Sequence, residues 1–324
     1  MRNVTIGTKV FAHIETWRPY TVLWCGLVSL AGACLTYGGL PDVSTAILVL
    51  ITPILGWIAA LYASDFFDRK LDAIQKPHRP IPSGRIKPYE AVIAAFSLAT
   101  IGLVFSLILN VYNILIAILV ALGVISYARF SKSHGILGNL NRGFIIWLAF
   151  LFGALSVHRE ITMGVFLLSL IFPIHDTNSN LVGAIRDIEG DRRGGYNTIP
   201  VKYGVRKSVY LSLLLTIIWL SMAIFIPFYS KIVSYLYFVL LSASIGFIII
   251  MYVHLFTNIE KLTREKALFA HELFVIERVI LASAFIMGVI NPVVAATILF
   301  IALLITVTSQ HYLRKRYEFK EEMS

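Results

Sequence analysis

Three aspartates in one short segment have the spacing of a helix face. They are Asp65, Asp68 and Asp72, and Ser64 directly precedes them. Residues three and seven positions apart lie on the same side of an α-helix. Carboxylates held this close repel one another, and a divalent cation that prefers oxygen ligands relieves the repulsion. The segment therefore predicts a site for a hard metal ion such as Mg²⁺.

A second acidic segment follows later in the chain. Its polar residues Asn180, Asp187 and Asp191 would share one face if a single helix ran through all three. An Ile-Pro step follows each acidic segment, at 81–82 and at 199–200. Because the two segments are alike, we expect the loops at about 65–88 and 186–207 to cap one shared site.

Basic side chains accompany both acidic segments. They are Arg79, Arg85, Arg129, Lys132, Arg192 and Arg193. Arginine and lysine bind phosphate oxygens through charge-assisted hydrogen bonds, and Mg²⁺ commonly joins one or two carboxylates to substrate phosphates. Together these groups are what a diphosphate site needs. The alternative is that both segments are merely solvated helix ends at a membrane border, which leaves their pairing with basic loops unexplained.

Long apolar blocks separate the segments that hold these side chains. Of the 324 residues 58% are hydrophobic and only 14% are charged, whereas about a quarter of a soluble domain is charged. About 20 apolar residues cross a bilayer as a helix. We predict ten such blocks, at about 20–38, 44–64, 89–109, 111–127, 138–157, 162–185, 207–229, 234–256, 272–290 and 292–312. Tight turns are expected at Asn110 and at Asn291-Pro292.

The predicted fold is therefore an all-α integral membrane protein, a bundle of about nine or ten transmembrane helices with cytoplasmic cap loops. We expect residues 1–324 to form a single domain. Nine helices is the alternative count, if the last two blocks form one re-entrant unit.

The positions of the basic residues predict the orientation in the cell membrane. Lysine and arginine are enriched in cytoplasmic loops. With the N-terminus inside, the loops on the opposite side contain only Arg159 and Lys231 of the 28 basic residues. The N-terminus and both acidic segments are therefore expected to be cytoplasmic.

The placement of basic residues in the cytoplasmic loops also explains the net charge of +10, so we expect no nucleic-acid partner. Cys25 and Cys34 show neither disulfide nor metal spacing.

The motifs resemble those of the UbiA superfamily of intramembrane prenyltransferases. Asp65, Asp68 and Asp72 match the family's NDxxDxxxD motif, and Asp187 and Asp191 match its DxxxD motif. Further matches are Arg18-Pro19, the segment Arg79-Pro-Ile-Pro-Ser-Gly84, and Tyr127 with Lys132. The chain departs from the family at Ser64, where the family has asparagine, and this puts the geometry of the first metal in doubt. The family has nine helices, so the block at 292–312 would be an addition.

The resemblance implies that the protein transfers a polyprenyl group from a prenyl diphosphate to a small aromatic or lipid acceptor in the bilayer, with Mg²⁺ as cofactor. It implies catalytic roles for Asp68, Asp72, Asp187 and Asp191. The implied metal ligands are these four together with Ser64 and Asp65. The implied substrate-binding residues are Arg18, Arg79, Tyr127, Lys132, Asn180 and Arg192. No protein partner is implied.

Two other functions are compatible with parts of the sequence. A terpene cyclase of the same fold would share the ionisation of the diphosphate and would need no second substrate. A membrane transporter would need ionisable residues near the middle of the membrane, whereas the charges here concentrate at the inner helix ends. His175 and Asp176 lie above the second acidic segment, and we expect them to form a packed polar pair.

Overall fold

A computed structural model describes residues 5–157 and 159–318. Its α-helices are α1 Ile6–Trp17, α2 Pro19–Tyr37, α3 Val43–Gln75, α4 Pro88–Leu109, α5 Val111–Arg129, α6 Ile136–Leu155, α7 Met163–Ser169, α8 Ile171–Arg186, α9 Ile188–Arg193, α10 Ile199–Ser230, α11 Tyr235–Thr257, α12 Arg264–Met287, α13 Pro292–Ser309 and α14 Lys315–Glu318. A single bridge, between His134 and Asn197, is the only β-type pairing in the described residues. The prediction of an all-helical membrane protein is confirmed.

Each of the ten predicted apolar blocks coincides with helix. Among the described residues, eight helices are long and apolar enough to cross a membrane. The block at 162–185 is broken at Leu170 into α7 and the more polar α8. The block at 272–290 corresponds to α12, which begins earlier, at Arg264. Helix α12 contains two buried charged residues, Glu277 and Arg278. Ionisable residues inside the bundle therefore lower the hydropathy of these two elements.

Asparagine forms both of the predicted tight turns. Asn110 ends α4 and begins α5, where its side chain accepts a hydrogen bond from the backbone N–H of Tyr112. Asn291 likewise accepts from the N–H of Val293 at the start of α13. An asparagine side chain in this position satisfies a backbone donor that the first helical turn leaves unpaired. The two helix–helix connections are therefore as short as the sequence predicts.

Helix α2 lies in the centre of the bundle, since 83% of its span is buried, compared with 11% for α4 and for α5. Two glycines allow close contact between α2 and α6. A Cβ atom at Gly153 would lie 1.8 Å from the backbone oxygen of Ser29, and one at Gly32 would lie 2.3 Å from that of Phe150. Small residues at such crossings are typical of membrane helices, whose backbones pack closely.

The helices that bear the acidic segments end at the same side of the bundle. Helix α3 continues through Asp65, Asp68 and Asp72 to Gln75, so the first segment is part of a helix and the connecting loop is only 76–87. Helix α10 begins at Ile199 and is interrupted by Gly204, which has φ 84° and ψ 165°. Both cap loops are thus shorter than predicted.

One expectation about the second segment is wrong. A single helix does not run through Asn180, Asp187 and Asp191, because α8 ends at Arg186 and α9 begins at Ile188. The N–H of Asp187 bonds to the carbonyl of Ala184, three residues back. The segment is therefore two helices joined by this tighter turn.

Candidate active site

Both acidic segments line one cavity of about 570 Å³ at this side of the bundle. The residues of the two motifs that line it are Ser64, Asp65, Asp68, Asp72, Asp187 and Asp191. The first motif is part of α3, and the second lies at the end of α8 and in α9, so distant parts of the sequence meet at the cavity. The two motifs therefore share one cavity, as we expected from the sequence.

A cation lies beside each of two carboxylates of the first motif. Lys132 Nζ donates to Asp68 Oδ2 at 2.9 Å, and Arg79 donates to Asp72 Oδ2 at 2.9 Å. Burial of Lys132 opposes its charge, yet the Asp68 carboxylate outweighs burial and raises the pKa of the ammonium. The two cations compensate part of the negative charge of α3.

Asp65 has a different environment from the other two aspartates. It is buried and accepts hydrogen bonds from Arg18 and from the Tyr317 hydroxyl. The Tyr317 ring lies between two guanidinium groups, those of Arg18 and Arg79, each 4.2 Å from its centroid. The Nε atoms of both arginines are buried and have no hydrogen-bond partner in the protein. These donors are available to an oxyanion bound in the cavity.

The second motif contains two carboxylates in contrasting environments. Arg186 donates to Asp187 Oδ2 at 2.5 Å, and although burial opposes the charge, this guanidinium lowers the pKa of Asp187. Asp191 Oδ2 accepts from the Thr198 hydroxyl at 3.1 Å. Burial, and then repulsion from Asp187, raises the pKa of Asp191 to about 6. Among the described residues, Asp191 has no ion pair within 4.0 Å like the one that Arg186 gives Asp187.

The donor set of the cavity fits Mg²⁺ shared with a substrate. In the described part of the chain, no three acidic, histidine or cysteine side chains converge as a preformed metal cluster. Mg²⁺ does not require such a cage, because it usually takes one or two carboxylates and completes its shell with water and phosphate oxygens. Asp68 and Asp72 on one wall and Asp187 and Asp191 on another provide such donors.

The other predicted site residues do not all reach the cavity. Tyr127 and Asn180 line it, and Asn180 accepts a hydrogen bond of 2.9 Å from the side chain of Asn139. Arg192 is exposed on α9 and is not among the lining residues, whereas Arg193 in the same turn is.

A buried ionic group inside the bundle was not predicted from the sequence. Arg142 Nε lies 3.6 Å from Asp176 Oδ2, and Trp24 donates to Asp176 Oδ1 at 3.0 Å. We expected His175 to form a packed pair with Asp176. Both side chains are buried, but the Nε2 of His175 lies 2.7 Å from Glu277 Oε2. The available signal was the presence of ionisable residues within apolar blocks, which in membranes face the bundle interior.

The segment after α13 also contributes residues that the sequence analysis missed. Gln310–Arg314 forms one π-helical turn, and α14 follows it. Arg314 and Glu318 line the cavity, and Tyr317 contacts Asp65. Polar residues after an apolar helix are so common at a membrane border that their composition gave no signal of a site.

Comparison with known proteins defines the class to which this site belongs. The model of the UbiA prenyltransferase family matches residues 22–276. The chain is 31% identical to the digeranylgeranylglyceryl phosphate synthase of Thermococcus kodakarensis, over 67% of this chain and 77% of that protein. It is 28% identical to the enzyme of the same name from Methanosarcina barkeri, over 88% of this chain and 100% of that protein.

Solved structures have the same fold. A chain described as digeranylgeranylglyceryl phosphate synthase in membranes superposes with a TM-score of 0.66 at 27% identity, over 87% of this chain and 98% of that one. A UbiA homolog from Archaeoglobus fulgidus bound to GPP and Mg²⁺ gives 0.63 at 15% identity, over 83% and 99%.

The protein is an integral membrane enzyme that transfers prenyl groups. It belongs to the UbiA prenyltransferase family. Membership of this family favours the enzyme over the transporter that the sequence analysis also considered. It confirms that the chain resembles the UbiA prenyltransferases.

Proposed function

We propose that the enzyme transfers a geranylgeranyl group from its diphosphate to the free hydroxyl of a geranylgeranylglyceryl phosphate. The observation that carries this proposal is the cavity into which both aspartate motifs and their cations project. The relatives support the choice of substrates, since the product in their name has two geranylgeranyl groups on one glycerol phosphate. The acceptor is accordingly a lipid and not an aromatic acid.

The proposed reaction begins with loss of the diphosphate. The allylic C–O bond breaks, its electron pair leaves with the diphosphate, the acceptor hydroxyl oxygen bonds to the allylic carbon, and the hydroxyl proton passes to the released diphosphate. Bound Mg²⁺ supplies electrostatic stabilisation of the charge that develops on the leaving oxygens. Arg79 and Lys132 bind these oxygens and remain charged throughout, because each faces a carboxylate.

The residue roles follow from position around the cavity. Asp68 and Asp72 would hold Mg²⁺ from the side of α3, and Asp187 and Asp191 would hold it from the side of α8 and α9, so that the diphosphate is bound through the metal. Further proposed donors to metal are Ser64 and Asp65, and further substrate-binding residues are Arg18, Tyr127 and Asn180, which line the cavity. Ser64 has a shorter side chain than the asparagine of the family, so a water molecule between Ser64 and the metal fits its reach.

The proposed setting is a bilayer with the cavity at its cytoplasmic face. Both substrates have apolar tails that remain in the lipid while their phosphates reach the cavity. The N-terminus and both motifs are cytoplasmic in this proposal, and residues 1–324 form a single domain.

Diphosphate release and product mass test the proposal together. Purified protein in detergent is given geranylgeranyl diphosphate, Mg²⁺ and geranylgeranylglyceryl phosphate, and the organic extract is analysed by mass spectrometry. We expect a doubly prenylated glycerol phosphate in an amount equal to the diphosphate released. EDTA, Asp68→Ala and Asp187→Ala are each expected to abolish both signals, whereas Glu260→Gln on the exposed surface keeps them. Diphosphate release with only a terpene hydrocarbon or alcohol would instead establish a cyclase.

A further inference from the structure

Three cations surround one carboxylate at the edge of the cavity. Glu318 Oε1 lies 3.2 Å from Arg186, and Glu318 Oε2 lies 3.5 Å from Lys76 and 3.3 Å from Arg264. The glutamate side chain is only 7% exposed. Lys76 follows α3, Arg186 ends α8 and Arg264 begins α12. Three separate helices therefore direct positive charge at one point, and we call these three residues the basic cluster.

The charge of the basic cluster exceeds that of the side chain it holds. Burial opposes ionisation of Glu318, but Arg186 and Lys76 outweigh it and lower the pKa of the carboxyl. Glu318 thus supplies one negative charge to the basic cluster, in which Arg186 also pairs with Asp187 and Arg264 has a further interaction. A phosphate monoester has about two negative charges near neutral pH and three terminal oxygens. Its charge and its number of acceptors match the basic cluster better than a carboxylate does.

The basic cluster adjoins the reaction site and touches it at Arg186, which also pairs with Asp187, but none of its three residues is among those proposed to hold the donor. Lys76, Arg186, Arg264 and Glu318 all line the cavity that contains the aspartate motifs. The donor's diphosphate is assigned to Arg79 and Lys132, which pair with Asp72 and Asp68. A second anionic group can therefore be bound in the same cavity without displacing the first.

The segment that places Glu318 in the basic cluster is short. Helix α14 has four residues and follows a five-residue π-helical turn. So short a helix has little stability of its own and depends on its contacts. A ligand that satisfies the basic cluster in place of Glu318 releases the Glu318 side chain, which can then turn away while Tyr317 keeps its contact with Asp65.

We propose that Lys76, Arg186 and Arg264 bind the phosphate monoester of the lipid acceptor, and that Glu318 occupies this subsite until the acceptor displaces it. The inference rests on the proposed function for the identity of the acceptor. It explains how one cavity distinguishes a phosphate monoester from a diphosphate, since each has its own set of cations.

Separate Michaelis constants for the two substrates test the subsite. We expect Arg264→Gln to raise KM for geranylgeranylglyceryl phosphate at least about tenfold, because a charge-assisted hydrogen bond is lost, and to leave KM for geranylgeranyl diphosphate unchanged. Glu318→Gln is expected to lower KM for the acceptor several-fold, because the competing anion is removed. The matched controls are Arg206→Gln and Glu260→Gln, an exposed pair 4.0 Å apart, for which neither constant should change.

Two results would overturn the subsite. One is an equal rise of both constants in Arg264→Gln, which would assign the basic cluster to the donor diphosphate. The other is an unchanged or raised acceptor KM in Glu318→Gln, which would make Glu318 a structural partner only. Because Glu318→Gln keeps the shape of the side chain, it tests the proposal even where Arg264→Gln fails to fold.

Direct binding separates failure of the subsite from failure of the proposed function. Binding of geranylgeranylglyceryl phosphate and of its dephosphorylated alcohol is measured calorimetrically in EDTA without donor. Binding that requires both the phosphate and Arg264 supports the subsite even if no prenyl transfer is detected. Prenyl transfer with phosphate-independent binding overturns the subsite and leaves the proposed function intact.

Discussion

Lys132 Nζ donates a hydrogen bond of 2.9 Å to Asp68 Oδ2 and lies 5.1 Å from the centroid of the Tyr196 ring. The lysine belongs to the 3₁₀ turn Ser131–Ser133 between α5 and α6, Asp68 is on α3, and Tyr196 follows α9. One ammonium group thus links the first aspartate motif to the loop of the second. Its position makes it a cation that both halves of the cavity share.

Removal of the Lys132 charge should impair catalysis more than folding. For Lys132→Gln we expect kcat/KM for the prenyl diphosphate to fall on the order of 10²-fold, the usual effect of losing one donor to a developing oxyanion. Diphosphate release measures the effect. The control is Lys70→Gln, an exposed lysine of α3. Equal activity of wild type and Lys132→Gln would contradict the assigned role.

The metal-free protein should become less stable as Asp191 ionises. Burial and Asp187 raise the pKa of Asp191 to about 6, above its unfolded value of about 3.9. The folded state therefore binds the proton more tightly, and the stabilisation present below the unfolded pKa is lost as pH rises through about 6. In EDTA, the Asp191→Asn variant should have a higher melting temperature than wild type at pH 7. This difference in melting temperature should shrink toward pH 4. Thermal unfolding measures it, and a difference independent of pH would show that ionisation is not its cause.

Close contact between α2 and α6 should make Gly153 intolerant of any side chain. In Gly153→Ala the new Cβ would lie 1.8 Å from the Ser29 backbone oxygen, so one helix must move. We expect loss of several kcal/mol or of the folded protein, as overpacking costs about 1–3 kcal/mol even where side chains can adjust. Thermal unfolding and size-exclusion profiles in detergent measure this.

The matched control is Gly246→Ala in α11, where a Cβ would meet nothing within 4 Å. There we expect unchanged or slightly higher stability, because alanine favours a helix by up to about 1 kcal/mol over glycine. Similar stability of the two variants would show that α2 and α6 can separate without cost.

Cysteine labelling can establish the orientation in the membrane. Both native cysteines are buried, so single exposed cysteines can be introduced without removing them. Glu160→Cys is predicted to react with an impermeant maleimide from outside intact cells. Glu260→Cys should react only after the membrane is opened or inverted. The reverse pattern would place the cavity on the outer face and refute the proposed orientation.

Local signals in the sequence were sufficient for the helices and the motifs. Hydropathy located ten helical blocks, Asn110 and Asn291 located two turns, and the spacing of Asp65, Asp68 and Asp72 gave one helix face. Each of these depends on residues close in the chain. The same reasoning failed at Asp187, because a single tightened turn separates α8 from α9 and no residue type in the segment indicates that turn.

The partners of the aspartates were decided by the tertiary structure. The sequence alone determined an all-helical membrane enzyme with two acidic motifs and a family resemblance. It could not show that Tyr317 reaches Asp65, that Arg142 faces Asp176, or that Glu318 lies among the three residues of the basic cluster. These ionic contacts join residues distant in the chain, and charged side chains become neighbours only when helix packing removes them from water together.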